Sequence, residues 1–274
     1  TAPSQNLVDS YQMEDGSSFF DHFELDKDKY YKNKSGKFHS NNIYYNRDPR
    51  FAGTVLYDSA KWLTRYSDLI VRDPVGIYDR RTRIVVQNGV ETSRILGIDT
   101  KGGPVDAEDG SNTGYCMKKY LDDEVHSNFS NNENVWIEFR YAEVLMNYAE
   151  ACLELNETAE AKEYINMIRN RAAMPDFTGD IKAALRYERR VEFAFEVRRW
   201  YDIRRWKILP ETLLDAKGVD ITEVNDLSKG TITTTWRQID VDSRGPFQKK
   251  MYWLPIARAE INRAPNLVNN PGYE

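Results

Sequence analysis

The sequence predicts a mostly α protein with irregular loops and a few short strands, and three observations lead there. Apolar residues recur at helical spacing from Trp136 to Leu155 and again from Ala161 to Ala172, on either side of a short Asn156-Glu157-Thr158 break. Upstream, stretches such as KNKSGKFHSNN and DTKGGPVDAEDGSNTG carry the Gly, Asn, Asp and Ser content of loops. Downstream, ERRVEFAFEVRRWYDIRRW (188–206) packs arginines, carboxylates and aromatics into a helical pattern that Pro210 must end. These divide one folding unit into three regions: a loop-rich subdomain with short strands (1–135), a helical hairpin (136–172), and a long helix with a C-terminal segment (173–274).

In chain order, FAGTVLY (51–57) reads as a short strand, and RIVVQNGVETSRIL (83–96) as a hairpin. Asn88-Gly89 supplies the two positive-φ residues of a type I′ turn. The two helices at 136–155 and 158–171 should pair as an antiparallel hairpin, with Thr158 capping the second and Glu160 in its first turn. One such hairpin resembles a single tetratricopeptide unit, which cannot bury its outer faces alone. Ile137, Tyr141, Val144, Tyr148 and Leu155 spread over more of the helix than one partner covers, and the chain holds no second copy. Asp180 is the expected N-cap of helix three, which should run toward Pro210. Periodicity then dissolves between 211 and 250, apart from an extended TITTTW (231–236).

The arginine-rich stretch poses a choice between a nucleic-acid grip and a structural element. At 100° per residue, Glu188, Glu192, Glu196 and Arg199 share one face, while Phe193, Ala194, Val197, Trp200 and Tyr201 form a second. A helix apolar on two sides is largely enclosed, and its arginines need carboxylates. Spacing offers Arg189 with Glu192, and Asp202 with both Arg198 and Arg205. Six positive against four negative charges leave little for a polyanion, and the whole chain carries net charge −5. The structural reading wins.

Other classes fall away on composition. No apolar run reaches the length of a membrane span. Two distant cysteines, Cys116 and Cys152, make no disulfide framework, and three scattered histidines make no zinc site. DAEDGSN (106–112) offers oxygen donors but not the spacing of a calcium loop, and reads as a solvated acidic turn. No P-loop, GxSxG, HExxH or dinucleotide fingerprint is present. A glycoside hydrolase would need a carboxyl group with a raised pKa. The clustered glutamates face arginines, which lowers it. A hydrolase and a structural or adhesin surface protein remain the alternatives to a binding protein, and no cofactor or metal is expected.

These residues are similar to a known family. ERRVEFAFEVRRWYDIRRW closely resembles the signature helix of the SusD/RagB family of cell-surface nutrient-binding lipoproteins. NLVDSYQMEDG (6–16), NRDPRF (46–51), TGYCMKKY (113–120), FRYAEVLMNYAEA (139–151) with INMIRNRA (165–172), and WLPIARAEINRAPNLVNNPGY (253–273) resemble the family's further motifs in the same order. Two positions depart. Val197 stands where the family often has Gly, which favours a continuous helix, and Ala257 replaces a common second proline.

The resemblance implies a SusD-like fold and a carbohydrate-binding protein of polysaccharide utilization and nutrient uptake. It also implies an outer-membrane, cell-surface location through a lipidated cysteine absent from this chain, and a SusC-like TonB-dependent transporter as partner. Family members are about twice this length, so the chain is expected to be a processed or truncated product, with an N-terminal half packing on the hairpin. Sugar binding needs flat aromatic faces beside polar groups, most often on loops. The loop FFDHFELDKDKYYKNKSGKF (19–38) offers Tyr30 and Tyr31 beside Asp28 and Asn33. SAKWLTRYSD offers Trp62 and Tyr66, four residues apart. These six are the candidate carbohydrate contacts. Arg189, Glu192, Glu196, Arg198, Asp202 and Arg205 are the candidate structural ion pairs.

Overall fold

The computed structural model describes residues 2–38, 41–63, 73–104, 110–122 and 133–273. Short elements open the chain: α1 Gln5–Val8, α2 Phe19–His22, β1 Phe23–Leu25 and β2 Tyr31–Asn33, the last two an antiparallel pair. The segment 51–57, expected as one strand, is instead the end of α3 Pro49–Thr54 and then β3 Val55–Leu56. Asp48 accepts from the Arg50 amide and Pro49 occupies the first turn, and this start signal outweighs the strand preference of the residues after it.

The hairpin at 83–96 forms as expected, from β4 Arg81–Gln87 and β5 Val90–Leu96, with Asn88 at φ 53° and Gly89 at φ 78°. β6 Cys116–Met117 pairs with β3. The helical hairpin is α4 Tyr141–Glu154 and α5 Thr158–Arg171. α4 begins at Tyr141 rather than Trp136. Arg140 is held in extended backbone while its guanidinium reaches Glu192 and Glu196. Glu157, not Thr158, takes the N-cap position of α5, and no side-chain hydrogen bond caps it.

Helix three is two helices. α6 Ile181–Glu192 starts on Asp180, whose side chain accepts from the amides of Lys182 and Ala183, as expected. The chain then turns through Phe195 (φ 64°) and Val197 (φ 66°) into α7 Arg198–Arg205. The continuous helix expected from valine at 197 is therefore overturned. Its physical reason lies outside the helix. Lys119 Nζ donates to the carbonyls of Glu192 and Ala194, and Arg140 donates to that of Glu192. These cations take the carbonyls that another helical turn would have used.

After α8 Leu209–Thr212 come the two longest strands, β7 Ala216–Asp226 and β8 Thr231–Asp242. With β4 and β5 they make a four-stranded sheet in the order β5-β4-β7-β8, in which β4 and β7 run parallel. TITTTW is extended, as its composition predicts; β7 has no counterpart in the sequence reading. The architecture is thus mixed α and β rather than mostly α. A short 3₁₀ turn at Lys249–Tyr252 and α9 Arg258–Arg263 close the chain.

Two apolar cores result. The first is aromatic and gathers Tyr11, Phe19, Phe23, Tyr31, Tyr44, Phe51, Tyr115 and Trp236 around Val191 of α6. Buried Arg47 fastens its loops by donating to the carbonyls of Val8, Tyr11 and Ile43. The second packs Leu145, Met146 and Ala149 of α4 against Ile165 and Ile168 of α5 and Leu185 of α6. α6 serves both. The hairpin's other side stays open: Ile137, Tyr141, Val144, Tyr148 and Leu155 are all exposed.

Candidate functional site

The carboxylates of the arginine-rich stretch form a closed network. Glu188 receives Arg169 at 2.5 Å and Arg50 at 2.7 Å, both from outside its own helix. Glu192 receives Arg140 at 2.6 Å, Arg171 at 2.5 Å and Arg50 at 3.2 Å. Glu196 receives Lys119 at 2.5 Å and Arg140 at 2.8 Å. Burial pushes the Glu192 carboxyl up, but Arg140, Arg171 and Arg50 outweigh it and hold the group below its ordinary value. Burial pulls the Lys119 ammonium down against the opposing pull of Glu196.

The pairing within the stretch differs from that expected from spacing. Arg189 binds Asp202 with two hydrogen bonds, at 2.9 and 3.1 Å, not Glu192. Arg198 goes to Glu143 at 2.9 Å, not to Asp202. Arg205 does take Asp202, at 2.8 Å, and adds Glu150. Glu192 is taken by Arg140, Arg171 and Arg50, and the break at Val197 brings Asp202 of α7 within reach of Arg189 of α6. The same break exposes Val197, Trp200 and Tyr201, where the pattern predicts an enclosed face.

Two neighbouring clefts involve the loop at 19–38. The larger, about 590 Å³, is lined by Asp9, Ser10, Ser18, Phe20, Lys217 and Gln238 among others. Phe20 is 45% exposed and offers an aromatic face beside hydroxyl, amide and carboxylate groups. Burial raises the Asp9 carboxyl to about 6, against hydrogen bonds from Gln5 at 2.6 Å and the Tyr31 hydroxyl at 2.8 Å. The second cleft, about 480 Å³, joins Asp28, Tyr30 and Arg237. Arg237 lies on β8, and Tyr30 forms a β-bridge to it.

These positions correct part of the sequence reading. Tyr31 is 4% exposed and belongs to the aromatic core, so its ring offers no face to a sugar. It acts from below instead: its hydroxyl donates to Asp9 and accepts from Gln238 at 3.0 Å, two residues that line the larger cleft. Asn33 is spent on its own turn, accepting from the amides of Ser35 and Gly36. Tyr30 and Asp28 do meet, in the second cleft. Trp62 is half-buried on a different part of the surface, with Lys118 Nζ 5.6 Å from its ring centroid. Tyr66 lies outside the described residues, as does most of the acidic DAEDGSN turn.

Sequence reasoning missed Asp9, Phe20, Arg237 and Gln238. Phe20 lies in the candidate loop, where nothing in the sequence separates its exposed ring from those of its buried neighbours Phe19 and Phe23. The two β8 residues carry no signal without the strand. Among the described residues one group, Cys152, Glu157 and Glu160, brings three potential metal ligand atoms within 4.8 Å. Glu157 there is exposed and Glu160 accepts from the Tyr148 hydroxyl, so proximity alone marks it.

The helical hairpin, the sheet-bearing loop region and the arginine–carboxylate network together fit one family. The SusD family matches residues 1–273. This chain belongs to it. Among solved structures, a SusD-like protein from Bacteroides fragilis aligns at TM-score 0.73 and 31% identity, over 99% of this chain and 47% of its own. A second from that organism, described as a SusD-like carbohydrate-binding protein, aligns at TM-score 0.65 and 25% identity, over 97% and 48%. SusD-like protein P2 of Formosa agariphila is 32% identical over 152 residues, which are 50% of this chain and 26% of that protein. This SusD-family chain therefore spans about half the length of its solved relatives. Among its described residues no helix is long and apolar enough to cross a membrane.

Proposed function

We propose that this SusD-family chain is part of a cell-surface protein that captures oligosaccharide at the outer membrane and delivers it to a partner TonB-dependent transporter. Family membership over residues 1–273 carries the reading. The description of a solved relative as a carbohydrate-binding protein agrees with it. On this chain the cleft of Phe20, Asp9, Ser10 and Gln238 is the proposed sugar contact, with the Tyr30–Asp28–Arg237 cleft beside the same strand as its continuation. The aromatic face covers the C–H side of a pyranose, and the polar groups meet its hydroxyls. A lipid anchor and a further polypeptide segment of the same protein belong to the proposal. The segment would cover the exposed apolar face of α4 and α5, because a single helical hairpin gains stability by stacking on a neighbour.

A hydrolase reading finds no support in Glu188, Glu192 and Glu196, since each is engaged by two or more cations. The test is a glycan array on the full-length protein, followed by calorimetry with the best oligosaccharide. Binding should weaken roughly tenfold in Phe20→Ala at unchanged melting temperature, with no release of reducing sugar. A folded protein that binds no glycan on the array would overturn the proposal. Sugar binding that survives both Phe20→Ala and Tyr30→Ala would move the site elsewhere.

A further inference from the structure

A third cavity opens where α6 breaks into α7; it adjoins the larger sugar cleft, with which it shares Asn6, Arg190 and Leu214, and adds Arg199 and Arg244 of its own. It encloses about 380 Å³, and Arg190, Arg199, Phe195, Trp200, Ile203 and Arg244 contribute to its wall. Arg190 sits on the last turn of α6 and Arg199 on the first turn of α7. Phe195 and Val197, the two left-handed residues of the break, also line it. Such backbone is costly and tends to be kept where a site needs its geometry.

The two inner arginines lack what three others of the stretch possess. Arg189, Arg198 and Arg205 each hold a carboxylate. Arg190 donates only to the Asn6 carbonyl, at 2.9 Å, and among the described residues neither it nor Arg199 makes an ion pair. The carboxylate acting on Arg190, Asp9, is taken up by Gln5 and Tyr31. The one acting on Arg199, Asp202, is held by Arg189 and Arg205. Burial, then the like charge of Arg190, pulls the Arg199 guanidinium down to about 10. One carboxylate, Glu211, also lines the cavity, but it is exposed and forms no ion pair with these arginines. A partly buried cation with no counter-charge is unfavourable, and an anion seated between two of them relieves both.

From this arrangement we infer that the cavity between α6 and α7 receives the anionic group of an acidic saccharide, a uronate carboxylate or a sulfate ester. Arg190 and Arg199 grip the anion, and the ring packs against the Phe195 and Trp200 side chains. Trp200 is 44% exposed, and Arg204 covers one face of its indole, with Cζ 3.1 Å from the ring centroid, so the sugar would meet the rest of the ring. Arg244 closes the mouth with a third positive charge. The inference rests on the glycan-binding reading and narrows its ligand class.

The test uses the full-length protein with glucuronate, glucose 6-sulfate, glucose and inorganic sulfate as probes, followed by ligand-observed NMR. One of the acidic sugars should bind at least tenfold more tightly than glucose, and its identity separates carboxylate from sulfate. That preference should vanish in Arg199→Met, and should fall at least threefold in Arg244→Ala, an exposed position that keeps the test valid if the first variant fails to fold. Glucose binding as well as the acids would overturn the inference, as would an acid preference unchanged in both variants. Inorganic sulfate matching the sulfated sugar would reduce the cavity to a bare anion site and defeat it. A protein that binds neutral oligosaccharide through Phe20 yet ignores all the acids would lose this inference and keep the proposed function. Acid binding through Arg199 with no oligosaccharide bound would do the reverse.

Discussion

Arg189 and Arg190 are adjacent in sequence and live in opposite surroundings. Arg189 is buried against Asp202 with a two-point contact and adds Asn147 at 2.7 Å. Arg190 faces the other way, to a backbone carbonyl and an open cavity. The same division runs through the whole stretch. On one side Glu188, Glu192 and Glu196 tie the stretch to other parts of the chain and Asp202 ties α7 to α6; on the other, Arg190 and Arg199 have no carboxylate of their own. The difference teaches that an arginine-rich helix is not one electrostatic object. Its closed side is a structural joint between the two apolar cores. Its open side holds positive charge in reserve.

The largest effect should come from opening the closed side. Glu188 is fully buried, so Glu188→Ala leaves Arg169, itself fully buried, without its counter-charge. A loss of about 3–5 kcal/mol is expected in denaturant unfolding. A variant within about 1 kcal/mol of the wild type would mean that the network is not a joint at all.

Acid should separate the two sides next. Glu192 has a depressed pKa in the folded state, so its contribution is present above its ordinary value near 4.5 and is lost as pH falls through the depressed value. Asp9, beside the open side, runs the opposite way. Its folded pKa is raised to about 6 from 3.8, so its contribution is full below 3.8 and is lost as pH rises through about 6. Unfolding midpoints between about pH 3 and 7 should show Glu192→Gln removing an acid-side fall in stability, and Asp9→Asn removing a fall above about pH 4. Identical profiles for both variants would erase the contrast.

A smaller change of opposite sign is expected on the open side. Arg199→Met removes a partly buried cation that has no counter-charge, so stability should hold or rise by on the order of 1 kcal/mol. A loss like that of Glu188→Ala would show that Arg199 is paired after all. Smallest is the joint between the sides. Val197 is exposed and left-handed, a conformation that costs a side-chain-bearing residue about 1–2 kcal/mol and glycine far less. Glycine's greater freedom in the unfolded chain offsets part of this, so Val197→Gly should gain about 0.5–1 kcal/mol by thermal unfolding. Destabilisation would place the valine side chain in a contact worth more than its strain.

Local signals in the sequence were sufficient wherever a few neighbouring residues carry the whole instruction. Asn88-Gly89 specified a turn because both residues accept positive φ. Asp180 specified a helix start because its carboxylate reaches amides two and three residues on. The apolar faces of α4 and α5 were legible from their spacing, including the face that stays uncovered. The ordered motifs made the family legible as well, and the family match agrees.

Tertiary structure alone decided the rest. Strand β7 was invisible because its polar residues, Thr222, Glu223, Asn225 and Asp226 among them, blur the alternation that marks a half-buried strand, and its pairing with β4 spans distant sequence. The two clefts beside the loop at 19–38 could not be read because Gln238 and Arg237 reach that loop only through β8. Tyr30 and Tyr31 look alike in sequence, yet one lines a cleft and the other fills the aromatic core. The break at Val197 is the sharpest case. Local propensity favoured a continuous helix, but Lys119 and Arg140, far away in the chain, take the carbonyls that the helix would have used. Helix propensity is worth tenths of a kcal/mol per residue, whereas hydrogen bonds from charged donors are worth about 1.5–3 kcal/mol each, so the distant cations set the backbone there.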